Sequence, residues 1–359
     1  MMKIRKDVEF KEVNTLLGKK IYVGIRNENS FIQFDSKYIQ DIKYIINRGK
    51  EEEIEKICDF TMNQESIIDL FNRKGFCDNG RIVEKSFNEF ERVGKEFASI
   101  KIKDGDLSEN KLCVFVLMLI IITSLAVLIS NSSLIASEID YTSIQIRDIL
   151  LSITIVPILV LGLHEFGHCL FARTVGIGVS KIVFGFFIVF PMIAVRYRGI
   201  HLYSTWKKIW TEFGGIFMNL FLACIGIFMK EIITNSPVVD IWIMANISMV
   251  LMNLSILGMT DGYFILTSIT GLTNLRLIGY SFFAKALKKD RWKTIHKKEV
   301  VSGLALFLTS LLSFITLLLQ LFYIGSLFNI DKFFLNVISV IAISFLLFRY
   351  VYKIFLLDL

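Results

Sequence analysis

An apolar run beginning near Ile149 and continuing through Phe171 carries, close to its end, the sequence His164-Glu165-Phe166-Gly167-His168. A run of this length is about what a helix needs to cross the hydrocarbon of a bilayer. Helical spacing puts His164 and His168 on one face, one turn apart, where both reach a single metal ion. Glu165 stands beside the first histidine, placed to take a proton from water activated there. Charged groups are costly at bilayer depth, so residues of this kind are ordinarily functional.

The rest of the chain fits that setting. Hydrophobic residues make up 54% of the 359, Phe alone numbers 32, and the mean hydropathy is +0.58, the profile of a polytopic membrane protein. Residues 1–111 hold equal numbers of basic and acidic side chains, so the formal excess of +7 lies in the remainder. That excess flanks apolar segments and forms no basic face on a soluble domain, which argues against a nucleic-acid partner. No cleavable signal sequence is expected, because the first apolar run starts only near Leu112. The cysteines, Cys58, Cys77, Cys113, Cys169 and Cys224, form no Cys-x-x-Cys pair, and neither a disulfide framework nor a cysteine metal site is expected.

Six segments meet the length of a span, roughly 112–130, 149–173, 211–230, 238–260, 301–325 and 333–352. Basic residues orient them. Arg173, Lys181, Arg196, Arg198, Lys207 and Lys208 lie between the second and third, and a second basic group runs from Arg276 to Lys298, whereas the alternate connections are short and poor in Lys and Arg. The positive-inside rule then places both termini in the cytoplasm, in a multi-pass protein of the cell membrane. The second and fourth spans both run inward, which brings His164, His168 and Asp261 to a similar depth.

The stretch from Ile177 to Ile200 is apolar, rich in β-branched and aromatic residues, and interrupted by Gly185 and Pro191. It reads as a re-entrant β-hairpin able to pair with an extended peptide, or equally as an amphipathic loop on the membrane surface. Residues 1–111 read as a small cytoplasmic α+β domain, with strands at Lys19–Arg26 and Ser30–Asp35. Helices are expected at about Ser36–Asn47, Glu51–Cys58, Asn63–Lys74 and Val83–Ile100. The expected architecture is thus an α-helical polytopic membrane domain over 112–359, with about six transmembrane helices and one re-entrant hairpin, preceded by that domain. His201 and His296 fall among basic residues and read as solvated.

Two histidines leave a catalytic zinc site one protein ligand short. Among acids at membrane depth Asp261, in Gly258-Met-Thr-Asp-Gly-Tyr263, is the best third, because a carboxylate buried there needs a cation beside it. Gly214-Gly215 reads as a site of close helix packing.

Three stretches together resemble the site-2 protease family of intramembrane zinc peptidases. They are Leu163-His-Glu-Phe-Gly-His168, Phe213-Gly-Gly-Ile-Phe-Met-Asn219 and Asn253-Leu-Ser-Ile-Leu-Gly-Met-Thr-Asp-Gly-Tyr263. The last, with Gly271-Leu-Thr-Asn-Leu-Arg276, is similar to a branch of peptide zinc metalloproteases, although Ser255-Ile256 replaces its Asn-Pro and Thr260 its usual Leu. The resemblance implies Zn2+ held by His164, His168 and Asp261, with Glu165 catalytic. It also implies a cleft lined by Asn219 and Asn253, which read equally well as hydrogen-bonding glue between helices. The order of elements in residues 1–111 resembles small winged-helix domains that bind leader peptides, carried by Ser30-Phe-Ile-Gln-Phe-Asp-Ser and Ile68-Asp-Leu-Phe-Asn-Arg-Lys-Gly-Phe.

The expected function is hydrolysis of a peptide bond within or near the membrane, in maturation of a ribosomally made, modified or bacteriocin-like precursor. Its partners would be the bilayer, a peptide or membrane-protein substrate, and a peptide-modifying enzyme or exporter encoded nearby. Two alternatives stay open: regulated proteolysis of a single-pass membrane protein, and a non-catalytic role in peptide transport or immunity.

Overall fold

The computed structural model describes residues 3–25, 31–51, 64–77, 94–102, 108–131, 145–187, 190–233, 236–256 and 260–327, with 337, 340 and 344. The chain divides into two compact units. The first comprises residues 1–111, 169–211 and 268–271, and the second the remainder.

In the first unit, strands β1 (Val8–Thr15), β2 (Gly18–Ile25) and β3 (Phe31–Asp35) form an antiparallel sheet in sequence order. β1 was not expected from the sequence. Its apolar residues Val8, Phe10 and Val13 change phase midway, so no clean alternation marks it, and register with β2 from Val8↔Ile25 to Thr15↔Gly18 supplies the missing order. Helix α1 (Ile39–Glu51) runs beyond the expected Asn47 through Gly49, whose carbonyl accepts from the backbone N–H of Ile4 at 2.7 Å. Helix α2 (Gln64–Arg73) ends before Gly75, which has φ 72°. Ile42, Ile45 and Ile46 of α1 and Phe71 of α2 pack with Phe76 against Ile21, Val23 and Ile32 to close the core. The helix expected at 51–58 lies outside the described residues.

A larger departure concerns Val83–Ile100, expected as a helix. Residues 83–93 lie outside the described set, and Gly94–Lys101 is a strand, β4. Its Lys, Glu and Ala favour a helix locally, but β5 (Val179–Phe187) offers an unpaired edge, and pairing overrides propensity. β4 joins antiparallel to β5, which pairs with β6 (Phe190–Tyr197). The expected hairpin is therefore the larger part of a three-stranded sheet, of order β4-β5-β6. The Lys181 ammonium spans both oxygens of Glu96 at 3.0 Å.

The second unit is helical and turned inside out relative to a water-soluble core. Helix α3 (Lys111–Ser130) buries only Ser124, and leucines and isoleucines such as Leu119, Ile122, Leu150, Ile153, Leu308 and Leu311 lie exposed. Among the described residues, four helices are long and apolar enough to cross a membrane: α3, α4 (Ile146–Thr174), α5 (Thr205–Ile232) and Lys297–Thr316 of α9 (Lys297–Leu327). They correspond to the expected first, second, third and fifth segments. The fourth differs, for α6 (Pro237–Asn253) stops short and α7 (Asp261–Thr270) begins anew. Helix α8 (Leu275–Ala286) packs against α9, where Gly279 faces the Ser302 carbonyl too closely to admit a Cβ. Apart from residues 337, 340 and 344, the sixth segment lies outside the described residues.

His201, expected to be solvated, is stacked on Phe31 with ring centroids 3.5 Å apart and lies over Tyr22 at 6.3 Å. Burial, assisted by the charge of Lys208, pushes its pKa down to about 3. The folded unit thus holds a neutral imidazole while the unfolded chain protonates near 6.5. Stability is full above about pH 6.5 and falls by about 1.4 kcal/mol per pH unit as pH drops below that value. Protection of β2 and β3 against hydrogen exchange, corrected for intrinsic rate, should decline between pH 6.5 and 5, and His201→Phe, which keeps the stack, should remove that decline.

Candidate metal centre

His164 and His168 lie on the inward face of α4, both buried, and Asp261 opens α7. His164 Nε2 lies 3.3 Å from His168 Nε2 and 3.3 Å from Asp261 Oδ2, and His168 Nε2 is 3.2 Å from Asp261 Oδ1. One ligand atom from each residue falls within 4.8 Å of the others. A tetrahedral metal with bonds of about 2.0–2.1 Å separates its ligands by about 3.3–3.4 Å. The His164–His168 edge has that length, and each imidazole nitrogen lies 3.2–3.3 Å from a different carboxylate oxygen of Asp261.

The environment also suits a cation. Asp261 Oδ2 is buried and accepts no hydrogen bond. His164 Nδ1 is 2.5 Å from the Oδ1 of Asn219, so the imidazole proton sits on Nδ1 and Nε2 presents a lone pair to the carboxylate. The His164 lone pair and a buried carboxylate oxygen repel one another, and a positive ion between them would relieve that repulsion. The residues fit a metal ion.

Three local features make room for it. The first is Gly215 on α5, where a Cβ would fall within 2.5 Å of His164 Nε2 and also collide with His168 Nε2. Gly215 thus forms the floor beneath both ligands. The second is Gly167, where a Cβ would meet the Gly214 carbonyl and lie 2.7 Å from the Cβ of Met218. This contact holds α4 against α5. The third is the break between α6 and α7. There the Thr260 hydroxyl donates to the Ser255 carbonyl, and the Ser313 hydroxyl of α9 donates to that of Ser255. A Cβ at Gly262 would lie 2.6 Å from the Leu254 carbonyl and 2.8 Å from that of Asn253. Ser255 and Thr260, both among the departures from the resembled pattern, are thus bonded to each other across the break.

Asn219 is fully buried and bonded to His164, with its other amide atom, Nδ2, donating to Asn246 Oδ1 at 2.9 Å. Asn253 is buried at the end of α6 and donates to the Met249 carbonyl at 3.1 Å. Glu165, next to His164, lies within electrostatic reach of His168 and of Glu212 on α5. Sequence reasoning missed Asn246, Gly215 as a floor, and Glu212. For Asn246 one signal was available, a polar residue in the middle of an apolar helix. Glu212 stands three residues before Gly215 on the same face.

No family model, curated protein or solved structure matches the chain.

Gly215→Ala places a methyl group where the two imidazoles point. Metal content of the purified variant should fall to background while its helical circular dichroism stays that of the wild type.

Proposed function

We propose that the chain is a zinc-dependent endopeptidase that cleaves a peptide bond within or near the membrane. The observation that supports it most is the combination of a buried His-His-Asp cluster, its ligand atoms within 4.8 Å of one another, and a glutamate adjacent to one of them, set among helices with apolar exteriors. Nitrogen and carboxylate donors of this number suit zinc and leave its fourth position open. Bound zinc supplies a Lewis acid and lowers the pKa of water toward about 7. Glu165 takes a proton from the attacking water and returns it to the amide nitrogen of the departing strand. Asn219 holds the His164 ring in the tautomer that leaves Nε2 free, and the apolar surroundings exclude bulk water.

The distribution of Lys and Arg supports a multi-pass arrangement in the cell membrane with both termini cytoplasmic. In this reading residues 1–111 capture a ribosomally made peptide precursor and deliver it to the membrane domain over 112–359. A peptide-modifying enzyme or an exporter encoded nearby would share that precursor. The edge strands of the sheet β1-β2-β3 support such capture, since an extended peptide can add to an edge.

Glu165→Gln keeps shape but cannot accept the proton. Peptides from cells carrying the wild type or the variant, compared by mass spectrometry, should differ by loss of one fragment and accumulation of its precursor, with cleavage reduced at least about 100-fold. Identical profiles with the precursor plainly expressed would overturn the proposal. Asp261→Ala should release the metal without unfolding the helices, read as metal content against circular dichroism.

A further inference from the structure

Asn219 could lie in either of two amide orientations, and only one suits a metal ligand. With Oδ1 toward His164 it accepts from Nδ1–H and leaves Nε2 as a lone pair. With Nδ2 toward His164 it forces the opposite tautomer, whose Nε2–H points into the cluster and cannot coordinate. Nothing in Asn219 itself decides between them. The decision comes from the next residue along. Asn246 Nδ2 donates at 2.9 Å to the backbone carbonyl of Trp242, one turn earlier on α6. A carbonyl oxygen can only accept, so Asn246 must turn its own Oδ1 away, toward Asn219. That oxygen then accepts from Asn219 Nδ2 at 2.9 Å, and Asn219 Oδ1 is left facing His164 Nδ1 at 2.5 Å. The polarity of the chain is therefore set by a backbone group three links from the cluster, whichever way either amide is drawn. Both asparagines are fully buried, where reversing one link would set two donors or two acceptors against each other.

We infer that Asn246 is a positioning residue for the metal ligand His164: through Asn219 it fixes the imidazole tautomer, so that α6 controls metal affinity from a residue that does not touch the metal. The inference rests on the metal-site reading above. Partners of this kind, which orient a ligand without coordinating, typically contribute 10- to 100-fold in affinity.

The test is a rescue. Full-length protein, purified in detergent and stripped of metal, is titrated with zinc against a chromophoric chelator. Asn246→Leu, similar in volume, frees Asn219 to flip and should weaken zinc binding by about 10- to 100-fold. Adding Asn219→Asp to that variant supplies two equivalent oxygens, neither of which can present a donor, and should restore affinity to within about threefold of the wild type. A packing role for Asn246 would not be rescued, because the second substitution refills no volume. The inference is overturned if N246L binds zinc as the wild type does, or if N219D leaves the loss in place. Wild-type protein that takes up no zinc would instead remove the metal reading and this inference with it. If N246L lacks the wild-type circular dichroism, Asn246→Ser carries the same comparison.

Discussion

A carboxylate with two imidazole nitrogens within 3.3 Å of its oxygens, away from water, is an arrangement that no apolar interior tolerates uncompensated. Much of the second unit serves to bring this about. Helices α4 and α5 meet through Gly167 and Gly214, because only bare backbone lets them approach closely enough. Helix α5 then presents Gly215, with no side chain, under both histidines. The α6–α7 break lets Asp261 enter at the start of a helix, where amide dipoles favour a negative charge.

The polar groups form a gradient from the cluster outward. At its centre is a carboxylate oxygen of Asp261 that accepts no hydrogen bond, then an imidazole held by one amide, then a second amide, then a backbone carbonyl of α6. Each step lies in a dry environment, where an unmatched donor or acceptor costs about 1–3 kcal/mol. Such a chain is rigid because no single member can turn without unpairing a neighbour. It also spreads the requirement for order over α4, α5 and α6, so the ligand geometry depends on how three helices pack.

The candidate metal cluster was legible in the sequence because its signals are local. Two histidines four apart and an aspartate before glycine in apolar surroundings need no knowledge of neighbours. The roles of Asn246 and Gly215 at the cluster were not legible, because each acts only through a partner on another helix: Asn246 through Asn219, Gly215 through two rings on α4. The same reasoning explains the errors in the first unit. Residues 94–101 carry helix-forming side chains and become a strand only because β5 lies open to them, almost eighty residues later in the chain. His201 looked solvated among lysines and arginines, and its place is set by Phe31 of β3, distant in sequence. By contrast α1 and α2, whose apolar spacing carries its own period, were read nearly correctly, and so were the four long apolar helices.

The pairing of β4 with β5 also imposes an order of events on the growing chain. β4 ends at Lys101 and β5 at Phe187, so 86 residues (187 − 101), including α3 and α4, must be made before the partner strand is complete. At ordinary rates of synthesis this takes roughly 4–17 s. Throughout that interval Phe97 and Ile100, which remain exposed even in the finished sheet, sit on a strand whose one neighbour is not yet in place. An unpaired edge of that kind is what other chains seize. The nascent protein thus has a defined period of vulnerability that ends only when the segment after α4 emerges, and a ribosome stalled between these points would leave β4 without its partner.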